Sequence, residues 1–74
     1  MLKLESVEKK VLETLYNLDY IADEHLLVGS LHLLPNEFNT AVEKLSKLNL
    51  IRMRDSYMGK EFIISREGEQ FIRS

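Results

Sequence analysis

Cysteine is absent from this chain, so neither a disulfide framework nor a thiolate metal site can supplement its core. No apolar run approaches the roughly 20 residues of a membrane span. The opening MLKLESVEKK alternates charge with leucine instead of forming the apolar centre of a signal peptide. A soluble, cytoplasmic protein with no membrane partner is therefore expected. Glycine-rich phosphate loops are missing, and none of Ser6, Ser30, Ser46, Ser56, Ser65 and Ser74 sits in a nucleophile-elbow or triad-like context. His25 and His32 lie seven apart with no cysteine or nearby carboxylate to complete a tetrahedral set, so they read as surface or turn residues. Neither enzymatic activity nor a cofactor is expected.

Low-complexity segments, internal repeats and linkers are lacking too, and residues 1–74 read as a single domain. At 74 residues and 45% hydrophobic content there is room for one compact core and none for a large catalytic cleft. The formal net charge is −2, which speaks against a polyanionic partner until its distribution is considered. Residues 1–43 carry eight acids and three bases, whereas residues 44–74 carry four acids and seven bases. The chain is acidic in front and basic behind, and a local basic patch can steer a polyanion whatever the total. The alternative is that Lys44, Lys47, Arg52, Arg54, Lys60, Arg66 and Arg73 are only a solvated surface.

The most informative stretch is Leu34 to Ile51, LPNEFNTAVEKLSKLNLI. Pro35 suits a first helical turn, where its missing N–H has no intrahelical partner. Phe38, Ala41, Val42, Leu45 and Leu48 recur at three- and four-residue steps and form one buried stripe, with Asn36, Glu37, Asn39, Thr40, Glu43 and Lys47 on the other side. Asn49 suits a left-handed C-terminal cap. Before this helix, Ser6 is a candidate cap for a first helix with Val7, Val11, Leu12, Leu15 and Leu18 inward, ending near Asn17 to Asp19. Tyr20 and Ile21 then read as a short extended link. Asp23 caps a second helix carrying Leu27, Val28 and Leu31 inward, and Gly29 within it implies the close approach of another backbone. His32 to Leu34 is the turn into the third helix.

After Leu48 the period shifts towards two. Ile51 and Met53 are expected to face the core and Arg52 and Arg54 the solvent. Ser56 to Lys60 supply a turn whose Gly59 can take positive φ. Glu61 to Ile64 return with Phe62 and Ile64 on one face and Ile63 on the other, and Ser65 caps a closing helix that folds Phe71 and Ile72 back onto the domain.

This order of elements resembles the winged helix-turn-helix domain, and within it the MarR- and PadR-like regulators of bacteria and archaea. Two segments carry the resemblance: LPNEFNTAVEKLSKLNLIRM, like a reading helix followed by a hairpin, and EFIISREGEQFI, like a wing strand ending in a serine- or threonine-capped helix with a glycine inside it. The resemblance implies an α+β, mainly α fold: three helices, a two-stranded β-hairpin wing and a short C-terminal helix. It also implies sequence-specific binding of double-stranded DNA by a small transcriptional regulator, with the helix Pro35–Leu48 in the major groove and the basic wing on the backbone or in the minor groove.

On that reading Asn36, Glu37, Asn39 and Thr40 face base edges or phosphates, Lys44 and Lys47 offset the acidic Glu37 and Glu43, and Arg52, Arg54, Tyr57 and Lys60 make the wing contact. Glu37 and Glu43 depart from the serine, threonine, arginine or lysine usual in the family. Simpler readings stand beside these: an exposed Glu43–Lys47 helical pair, and a Tyr57 that packs on the hairpin with Met58 filling space. A homodimer seam has candidates in Leu2, Leu4, Tyr16, Leu26, Leu34, Ile63 and Ile72. Winged helices also serve as protein-interaction modules, so a protein partner in place of DNA is the alternative function.

Overall fold

The structure is a computed structural model that describes residues 3–57 and 59–74. Its elements run α1 (Ser6–Asn17), β1 (Ile21–Asp23), α2 (Glu24–Leu31), α3 (Pro35–Lys47), β2 (Ile51–Ser56), β3 (Gly59–Ile64) and α4 (Arg66–Arg73). Two sequence expectations, Leu2 in a dimer seam and Met58 in the wing, lie outside the described residues.

The stripe predicted for α3 is the centre of the molecule. Phe38, Ala41, Val42 and Leu45 are buried, and they meet Val11, Leu12 and Leu15 of α1, Leu27 and Leu31 of α2, and Leu50, Ile51, Phe62 and Ile64 of the hairpin. Phe38 and Phe62 pack edge to face at 5.5 Å between ring centroids, which ties the reading-type helix to the sheet. The end of α3 follows its sequence closely. Asn49 takes φ 61°, its N–H bonds to the Ser46 carbonyl, and the Leu50 N–H bonds to the Leu45 carbonyl. This paired closure of a helix C-terminus explains why an asparagine stands there.

Three local expectations are corrected. Glu5, not Ser6, occupies the N-cap of α1, and the Glu8 carboxylate accepts from the Glu5 N–H at 2.9 Å. Tyr20 is not extended: Asp19 and Tyr20 both turn left-handed, at φ 66° and 77°, and the Tyr20 N–H closes on the Leu15 carbonyl. The link itself becomes strand β1, which pairs antiparallel with β3 through Ile21↔Ile63, Ala22↔Phe62 and Asp23↔Glu61. The hairpin therefore belongs to a three-stranded sheet of order β1-β3-β2.

The hairpin is also tighter than expected. Ser56 pairs with Gly59 and Asp55 with Lys60, so only positions 57 and 58 connect the strands, and Gly59 sits at φ 115°. Met53 is paired with Phe62 but remains 42% exposed, because it lies on β2, an edge strand whose burial is confined to its start at Ile51. Gly29 meets nothing: a Cβ there would find open space, so no backbone approaches it. The glycine that does permit close approach is Gly68, where a Cβ would collide with the Leu50 carbonyl oxygen and crowd Ile64. Ser65 fixes this junction. Its hydroxyl accepts from the Gly68 N–H at 3.0 Å and donates to the Asn49 carbonyl at 2.6 Å, so the cap of α4 is fastened to the end of α3.

Candidate nucleic-acid interface

The exposed side of α3 carries Asn36, Glu37, Asn39, Thr40, Glu43 and Lys47, as its periodicity requires. Its two glutamates have local work. Glu37 is the third residue of the helix, and its carboxylate accepts from the Leu34 N–H at 3.2 Å, closing the first turn. Glu43 pairs with Lys47 at 3.3 Å across one helical turn, which is the simple reading of those two residues. Asn36, Asn39 and Thr40 are left as the uncharged polar groups of that face.

The same surface is divided by its neighbours. Asn39 looks into a groove between α2, α3 and the wing, lined by Glu24, His25, Val28, Gly29, Pro35, Phe38, Gly59 and Lys60. The open position at Gly29 widens this groove. Asn36 and Thr40 lie on the opposite flank, in a depression shared with Glu5, Val7, Glu8, Glu37 and Ala41. Asn39 is thus brought together with the wing cation Lys60, whereas Asn36 and Thr40 border the acidic start of α1.

The cations divide in the same way. Lys44 is turned towards α1, where its ammonium lies 3.4 Å from the carboxylate of Glu8, a residue only 5% exposed. Lys44 is accordingly a partner for a buried charge and not a screen for Glu37. Arg54 is held by Glu61 of the neighbouring strand, Nε to Oε1 at 2.7 Å. Arg52 and Lys60 are exposed and form no ion pair among the described residues. Tyr57 does not pack on the hairpin: it is 98% exposed at the tip.

The sequence reading did not foresee the burial of Glu8 or the place of His25, an exposed residue as expected, in the groove. Glu8 falls on the same helical face as Val11, Leu12 and Leu15, three, four and seven residues away, and that spacing foretells its burial. His25 enters the groove only through the placement of the wing over α2, which no local pattern records. Among the described residues no three His, Cys, Asp or Glu side chains gather where a metal could be held, and no helix is long and apolar enough to cross a membrane.

No protein-family model matches the chain, and no curated protein matches it in sequence. Among solved structures, Sso10a-2, a DNA-binding protein from Sulfolobus solfataricus, has a similar fold. The superposition has a TM-score of 0.70 at 14% sequence identity and covers 95% of this chain and 80% of that one. Four helices, a three-stranded antiparallel sheet and this likeness together make the fold one of winged-helix type, mainly α.

Proposed function

We propose that this chain binds double-stranded DNA, with α3 directed into the major groove and the wing on the backbone or in the minor groove, and that it acts as a small sequence-specific transcriptional regulator. The observation that carries the reading is the juxtaposition of Asn39 on α3 with Lys60 on the wing across one groove, beside a helix face whose two acids are already engaged. The fold likeness to the DNA-binding protein Sso10a-2 supports it. The finer kinship with MarR- and PadR-like regulators rests on the two sequence segments that suggested it.

The wing contact narrows to Arg52, Lys60 and Tyr57, because Arg54 would have to leave Glu61 before reaching a phosphate. On α3, asparagine suits adenine, which offers an acceptor and a donor on its major-groove edge. A homodimer would place two such modules on two half-sites and raise affinity without new contacts. Selection from a random-sequence duplex pool tests the regulator reading. An enriched motif with adenine at positions lost in an Asn39→Ala variant supports sequence-specific reading; retained pool binding without an enriched motif removes the specificity.

A second reading, docking of a protein partner, is favoured by the exposure of Leu26 at 49% and Leu34 at 67%. It requires that polar substitution of these leucines abolish complex formation while Arg52 and Lys60 are dispensable.

A further inference from the structure

In this hairpin, where positions 57 and 58 connect the strands, a positive φ falls on Gly59, at 115°, and Tyr57 is not among the residues of positive φ, so the turn makes no demand that a tyrosine would meet. In this wing the two positions hold Tyr57 and Met58. Tyr57 is almost fully exposed, at 98%, although a phenol ring at a strand end ordinarily buries part of its face against a cross-strand neighbour. Neither turn chemistry nor packing accounts for it. The cations nearest in sequence and free of ion pairs among the described residues are Arg52 and Lys60, in the strands on either side of the tip. An aromatic face at the apex of a rigid two-strand support, with cations behind it, matches the chemistry of an unstacked nucleobase on a phosphate backbone.

We propose that Tyr57 is a stacking residue, taking the face of a base that has left the stack of a DNA duplex at an unpaired position or an easily opened step. This assignment rests on the DNA-binding reading above. It gives the wing a preference that charge alone lacks, because Arg52 and Lys60 attract any phosphate backbone equally while a π-face is offered only where stacking is broken.

The test compares the full chain with its Tyr57→Phe and Tyr57→Ala variants on two probes, a fully paired duplex and the same duplex carrying one unpaired base. The parent protein and the Phe variant are expected to bind the second probe about tenfold more tightly, and the Ala variant to bind both alike. The readout is the ratio of the two affinities within each protein, which cancels whatever contact Tyr57 makes with the paired duplex, and the salt dependence should be the same in all three because no cation is changed. Since the chain has no tryptophan, Tyr57→Trp adds a single reporter at the wing tip, and its fluorescence should be quenched by the probe with the unpaired base. An equal preference in the Ala variant, or none in the parent, overturns the stacking role while leaving DNA binding intact. Failure of every variant to bind either probe overturns the DNA reading and the stacking role together.

Discussion

Gly68 and Gly29 look alike in the sequence, each a glycine inside a helix, and the structure gives them opposite meanings. At Gly68 any side chain meets the Leu50 carbonyl and Ile64, so Gly68→Ala should destabilise by about 1–3 kcal/mol as overpacking does. At Gly29 there is open space, and Gly29→Ala should stabilise by about 0.5–1 kcal/mol through helix propensity alone. Thermal melts of the two variants, shifted in opposite directions, check both at once. Only the three-dimensional path of the chain separates the two positions, because what crowds Gly68 comes from residues distant in sequence. Tyr20 carries a third residue-scale prediction. The Glu69 carboxylate beside its hydroxyl pushes the phenol up to about 12, with desolvation adding to the effect. A raised value means that the contact stabilises fully below the ordinary phenol range and is lost as pH rises through about 12. An ultraviolet titration should show a tyrosinate component near that pH which disappears in Tyr20→Phe.

At the scale of elements, α3 was almost wholly legible, and the reasons are local. Pro35 at the first turn, an apolar stripe at helical spacing and Asn49 at the left-handed exit are decided by residues within one or two turns of each other. The work of Glu37 could be inferred from the same rule, since an acid three residues past the N-cap position is placed to accept its N–H. Glu37→Ala should therefore lower stability by about 1 kcal/mol, as loss of a helix cap does. Glu37→Gln should keep most of that stability and leave duplex affinity the same or higher. A Gln variant that folds normally but loses DNA affinity would mean that the carboxylate touches a base. Strand β1 was not legible because three residues have too little periodicity to announce a strand, and its existence depends on pairing with β3 some forty residues away. The exposure of Met53 and the tight hairpin follow from the same cause: edge position and register belong to the sheet, not to the strand.

At the scale of the whole molecule, the acidic front and basic back of the sequence do not map onto an acidic body and a basic wing. Folding brings front acids onto rear bases, Glu8 onto Lys44 most clearly, and pairs Arg54 with Glu61 within the hairpin. The candidate site was thus legible in outline, as α3 plus wing, but the division of its cations into structural and available ones was not. Lys44→Ala leaves a buried carboxylate without its cation, and its main effect should be a loss of about 1 kcal/mol of stability, with duplex affinity little changed. Arg52 and Lys60 should behave in the opposite way. The most direct test is the salt dependence of binding to a mixed-sequence duplex, measured for the parent chain and for a variant with both Arg52 and Lys60 changed to alanine. Binding that weakens with salt in the parent, with a logarithmic slope shallower by about two in the variant and an unchanged melting temperature, is the predicted result. Absence of binding at low salt, or identical slopes in the two proteins, would contradict wing-led recognition of DNA.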